Sequence, residues 1–73
     1  MSNDRILEAI GQNIKKLRAE KKISQLQLAG RCHFDKGRMS RIESGRNNLT
    51  VETLSKISDA LEVNITELLQ NQN

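Results

Sequence analysis

Residues 25–43, QLQLAGRCHFDKGRMSRIE, leave the chain one economical arrangement, two short helices joined by a tight turn. Ser24 stands before the segment with Gln27 three residues on, the capping-box spacing, and opens a helix whose apolar side is Leu28, Ala29 and Cys32. Asp35 caps a second helix that turns Met39 and Ile42 inward. Its outward residues are Lys36, Gly37, Arg38, Ser40 and Arg41, a cationic and small-residue face with no acid before Glu43. Such a face suits a helix that enters a DNA major groove.

The flanking sequence is helical as well. A first helix is expected from about Asp4 to Glu20, with Ile6, Ile10, Ile14 and Leu17 on one inward stripe. Gly11 interrupts that helix at a cost of about 1 kcal/mol relative to alanine and loosens its first turn. Ser44 to Asn48 form a loop, with Gly45 where a helix end wants a left-handed residue. Thr50 caps a helix with Val51, Leu54, Ile57 and Leu61 inward, and Asn64 caps a last one in which Glu67 completes a capping box before Leu68 and Leu69. The terminal QNQN is expected to fray.

Composition agrees with one small all-helical domain spanning residues 1–73. A chain of 73 residues buries only about 60% of its unfolded surface, so its core must be economical. With one phenylalanine, no tryptophan or tyrosine and no proline, that core falls to aliphatic side chains on short helices. The single cysteine excludes an internal disulfide and a cysteine zinc cage, and Cys32 reads as a small buried hydrophobe. No apolar run reaches the length of a membrane span, and MSNDR lacks the order of a signal peptide, so a cytoplasmic protein is expected. The net charge of +3 is unevenly spread, since cations dominate from Lys15 to Arg46 while the part from Val51 onward is net acidic.

Five pieces in one order, IGQNIKKLR, SQLQLA, MSRIESGRNN, LTVETLSKISDALEV and NITELL, resemble the Cro/C1-type helix-turn-helix family of bacterial and phage repressors, also called the Xre family. The resemblance implies a five-helix, lambda-repressor-like DNA-binding domain. It places Lys36, Gly37, Arg38 and Arg41 at base edges, where a lysine or arginine donates to guanine, with Gly37 letting the backbone come close. Gln25 then donates to a phosphate or braces Lys36, and Ser40, Arg46, Asn47 and Asn48 fall where relatives hold the DNA backbone. Arg18 and Glu43 match a family ion pair that fixes the angle of the recognition helix.

Three positions depart from the pattern. His33 stands where most relatives carry glycine, at a turn position of positive φ. Leu49 replaces a common proline, and RNNLTVETL instead resembles the small controller proteins of restriction-modification systems. Leu26 is apolar where relatives are polar, and nothing in the sequence explains it.

A homodimer on a roughly palindromic operator is expected, because one small module contacts too few bases for tight specificity. Leu61, Val63, Ile65, Leu68 and Leu69 offer more apolar surface than the core needs and are the expected interface. An alternative of another class is a protein-interaction module of the same fold, such as an antitoxin or anti-repressor partner, which has no need of Lys36, Arg38 and Arg41 together. No serine-histidine-acid set, glycine-rich phosphate loop or metal cluster is present, so neither an enzyme nor a cofactor or metal is expected. RNA binding lacks an aromatic platform on which bases would stack.

Overall fold

Ser24, Asp35, Thr50 and Asn64 each end a turn and begin a helix. The computed structural model describes residues 3–70, so the last three residues of QNQN lie outside the described residues. The helices are α1 (Asn3–Lys21), α2 (Gln25–Cys32), α3 (Lys36–Glu43), α4 (Val51–Leu61) and α5 (Ile65–Leu68), with no strand among the described residues. Ser24 Oγ accepts the Gln27 N–H at 3.0 Å while Gln27 Oε1 accepts the Ser24 N–H at 2.8 Å. Asp35 Oδ1 accepts from Arg38 N at 2.6 Å, and Thr50 Oγ1 from Thr53 N at 3.1 Å. These bonds satisfy donors that a helix start leaves without an intrahelical partner.

α1 packs across α3, α4 and α5, while α2 packs on α3 and α4. The core between them is Ile10, Ile14, Leu28, Met39, Ile42, Ile57, Leu61 and Leu68, closed at its edges by Ala29, Cys32, Phe34 and Leu54. No helix among the described residues is long and apolar enough to cross a membrane.

Two apolar stripes stop short of the helix ends. Ile6 is 45% exposed and Val51 75% exposed, not inward as their spacing suggests, because each sits in a first turn beyond the reach of any facing helix. Leu61 and Leu68 err in the opposite direction. Expected at an interface between copies, they are 1% and 0% exposed, because the short α5 folds back onto α1 and α4 and uses them as core. Val63 and Ile65 pack partly against the same core, so only Leu69 of the expected interface stands well out.

Gly11 is a packing residue and not a loose point in α1. A Cβ there would overlap the carbonyl oxygen of Glu43 and stand 3.0 Å from that of Ile42, so α1 crosses the end of α3 at backbone distance. Two residues on, the buried Asn13 donates through Nδ2 to the carbonyls of Leu68 and Gln70, both at 2.8 Å, tying the end of α5 to α1. Gly30 has open space where its Cβ would be.

The two glycines should therefore respond oppositely to alanine. Gly11→Ala is expected to cost about 2–3 kcal/mol, because the backbone beneath it cannot yield as a side chain would. Gly30→Ala, in the middle of α2, should add about 0.5–1 kcal/mol. Urea melts of the two variants check this; equal effects would mean that the α1–α3 crossing is looser than described.

Candidate nucleic-acid interface

The geometry of α3 starts from its last residue. The Glu43 side chain is fully buried, and Arg18 of α1 grips it with both arms of the guanidinium fork: Nε donates to Oε2 at 2.7 Å and Nη2 to Oε1 at 2.8 Å. The third arm, Nη1, donates to the carbonyl of Ile23 at 3.1 Å, and Gln25 Nε2 reaches Glu43 Oε1 at 3.2 Å. The Glu43 hydrogen bond raises the Arg18 pKa, against the opposite effect of burial. The Gln25 amide thus joins α2 to the ion pair that already links α1 with α3.

With Glu43 withdrawn and neutralised, the outward face of α3 is left without an acid. Lys36, Gly37, Arg38, Ser40 and Arg41 are all exposed. They do not form one uniform surface. Arg41 Nη1 lies 3.3 Å from where a Cβ of Gly37 would stand, so the long side chain folds back over Gly37 toward the start of the helix. Arg38 turns elsewhere: its guanidinium lies over the Phe34 ring, 4.0 Å from the centroid, and Lys56 Nζ of α4 lies 6.0 Å from the same centroid. The expected base-reading set thus divides, with Arg41 over Gly37 and Arg38 drawn toward Phe34 and α4.

Below that division lies Cys32, whose Sγ is 3.9 Å from the Lys56 carbonyl. Burial raises its pKa, while the charges of Lys56 and Arg38 act in the other direction. Neither Phe34 nor Lys56 was singled out by the sequence; the signal available was that Phe34 is the chain's one aromatic and Lys56 its one cation after Arg46.

A repeated backbone device positions the loop after α3. At the ends of α1, α2 and α4, a left-handed residue (Lys22, His33, Glu62) is followed by an apolar one whose N–H returns to a carbonyl five residues back. Those apolar residues, Ile23, Phe34 and Val63, pack on the core, the usual hydrophobic companion of this helix ending. His33 adopts the positive φ expected of it, at 60°, without being glycine. After α3 the left-handed residue is Gly45, φ 78°, and the residue that follows is Arg46, whose N–H bonds to the Arg41 carbonyl at 2.9 Å. An exposed cation thus occupies the place where the other three endings bury an apolar side chain. Asn47 is half-buried and Asn48 exposed beside it.

A helix, a tight turn and a second helix with an acid-free outer face, braced from behind by α1, is the arrangement that a family model described as helix-turn-helix matches over residues 14–68. The chain belongs to this family. Within it, the similarity is to Cro/C1-type transcriptional regulators. Control protein C.MunI of a Mycoplasma species is 37% identical over 62 residues, covering 84% of each chain. The immunity repressor of Bacillus phage phi105 is 32% identical over 60 residues, and the chain spans only 42% of that repressor's length. Among solved structures, the restriction-modification controller protein C.AhdI from Aeromonas hydrophila superposes with a TM-score of 0.81 at 31% identity, covering 85% of this chain and 94% of that one. The clp gene regulator ClgR from C. glutamicum reaches 0.84 at 28% identity, covering 88% and 83%.

In this helix-turn-helix protein the two halves of the Arg18–Glu43 pair are unequal. Arg18→Ala leaves a fully buried carboxylate with only Gln25 beside it and is expected to cost about 3–5 kcal/mol. Glu43→Ala leaves a guanidinium whose side chain is 18% exposed and still bonded to Ile23, and should cost less. The double variant should lose less than the two singles added together. Thermal and urea melts of all three measure this coupling, and additive losses would show that the side chains do not hold each other.

Proposed function

We propose that this transcriptional regulator acts in the cytoplasm as a homodimer that binds a roughly palindromic duplex operator, with α3 of each copy in the major groove. The observation that carries the reading is the outward face of α3, five exposed residues without an acid, with Glu43 at the end of the helix buried against Arg18 and Asp35 before its start engaged as the cap of Arg38 N–H. A face intended merely for water has no need to hide its acid. Lys36 at the start of the helix and Arg41, folded back over Gly37, are the base-reading pair, suited to the O6 and N7 acceptors of guanine. Arg46, Asn47 and Asn48 hold phosphates from the loop, Ser40 adds a hydroxyl, and Gln25 reaches the backbone from the start of α2. The curated and structural relatives that bear the words repressor, regulator and controller support a role in transcription control.

For assembly this reading keeps Leu69 of the expected interface and joins it to a neighbouring groove, since Leu61 and Leu68 are buried in the core. Ile6, Leu7, Leu49, Val51 and Leu69, together with Asn48, line an open groove of about 480 Å³ between the starts of α1 and α4 and the end of α5. Three of its walls, Ile6, Val51 and Leu69, are among the four exposed large apolar residues of the described chain. A second copy covering this groove removes them from water and leaves both α3 helices free. The half-sites should then lie about one helical turn, roughly 34 Å, apart on one face of the DNA.

Selection of sites from a random duplex pool, followed by titration at several salt concentrations, tests the DNA-binding reading. Lys36→Ala should cost about 1–3 kcal/mol at one base pair of each half-site and relax the preference there. Arg46→Ala should weaken every sequence alike and lower the salt slope by about one. A change of base preference in Arg46→Ala would reverse the two assignments, and salt-insensitive binding of a protein with no duplex selected would favour the protein-interaction module instead.

Sedimentation separates assembly from reading. Val51→Asp is expected to yield folded monomers whose helix content matches the wild type, because Val51 is 75% exposed within its own copy. A dimer that persists in Val51→Asp would place the interface elsewhere.

A further inference from the structure

Arg38 and Lys56 are brought together by the fold from opposite ends of the charge pattern. Every other lysine and arginine of the chain precedes residue 47, and the part from Val51 onward is net acidic, yet its single cation, Lys56, lies against the ring that carries Arg38. Both charges are within 6.0 Å of the Phe34 centroid, both residues are exposed, and among the described residues no carboxylate lies within ion-pair distance of either. Glu52 and Asp59, the acids one turn from Lys56 on α4, do not pair with it, although helix neighbours at that spacing have the reach to do so. Two like charges gathered at one aromatic ring repel each other. An anion between them relieves it.

We propose that Arg38 and Lys56, on the platform of Phe34, form a second DNA-phosphate site on the α4 side of the recognition helix. The inference rests on the reading of α3 as the groove-entering helix and changes its division of labour. Arg38 is an affinity residue and not a base reader, and α4, which the helix-turn-helix itself does not include, takes part in the interface. The backbone argument is geometric. A side chain stacked on Phe34 is directed away from Gly37 and Arg41, toward the flank of the helix, where a groove-bound helix meets the groove's phosphate wall. The stacked guanidinium is also pre-ordered, so little rotamer freedom is lost when a phosphate binds. A phosphate there takes charge-assisted hydrogen bonds from the guanidinium and a point charge from the ammonium.

The test uses the full chain, Lys56→Gln, Lys56→Arg and Arg38→Gln, with binding to duplex sites selected from a random pool and followed from low to high salt. Lys56→Gln should weaken all selected sequences about equally and lower the salt slope by about one, so that variant and wild type converge by roughly threefold between about 50 and 200 mM salt. Lys56→Arg should restore both affinity and slope. Arg38→Gln should behave as Lys56→Gln does, with the selected sequence unchanged. A shifted base preference in Arg38→Gln would overturn the proposal, since Arg38 would then be reading bases. Wild-type affinity and slope in Lys56→Gln would overturn it as well; if that variant nevertheless loses transcription control at a promoter carrying the site, the cations face an acidic protein surface instead. Wild-type protein that selects no duplex overturns the DNA-binding reading and the phosphate site with it, and this result is distinct from either of the others. Because Arg38 and Lys56 are exposed, melting curves of the variants should match the wild type.

Discussion

One buried carboxylate organises this molecule. Glu43 ends α3, and its two oxygens take three donors, two from Arg18 of α1 and one from Gln25 of α2. A charge withdrawn from water is held only if its lone pairs are met, and meeting them here requires three helices to be in place at once. The pair consequently sets the position of α3 relative to both supports, while the same withdrawal takes one acid off the outward side of the helix. Structural and electrostatic roles coincide in one side chain.

That arrangement needs α1 to approach α3 closely, and the glycine at residue 11 permits it. With a Cβ excluded at the crossing, the carbonyls of Ile42 and Glu43 lie against the backbone of α1. Arg18, two turns further along α1, then reaches the carboxylate with its fork aligned. Asn13, between the two, secures the opposite side by bonding the end of α5. A chain of this size buries little surface, so backbone proximity and directed polar contacts do work that a larger domain leaves to hydrophobic mass.

Much of the fold was legible because its signals are local. Ser24, Asp35, Thr50 and Asn64 start helices through bonds spanning three residues, and such bonds depend on nothing distant. The positive φ of His33 was legible only through family resemblance, and those of Lys22 and Glu62 passed unnoticed, although the polar-then-apolar pairs Lys22–Ile23, His33–Phe34 and Glu62–Val63 share one pattern. Gly11 was misread as a weakness because its role is set by a helix 32 residues later in the chain. Ile6 and Val51 continue perfect stripes, yet a stripe says nothing about where the facing helix ends. Leu61 and Leu68 were assigned to an interface on the premise of a surplus of apolar residues; the core absorbs both. The direction of Arg38 is fixed by a ring in the turn, a contact that no helical spacing encodes.

The loop after α3 connects the two activities proposed for the molecule. Arg46 faces outward from a helix ending whose three counterparts bury an apolar residue, and Asn48 and Leu49, two and three positions on, line the apolar groove. In the proposed reading one end of this short loop meets phosphate and the other meets a second copy, so it cannot adjust to either without affecting the other. If a second copy covering the groove restricts residues 46–49, part of the entropy lost in ordering Arg46 for a phosphate is already lost on assembly. By reciprocity, a phosphate held at Arg46 favours the covered groove to the same extent. Cooperative association on DNA then needs no ligand and no moving domain. It follows from placing a groove and an anion contact on the same few residues.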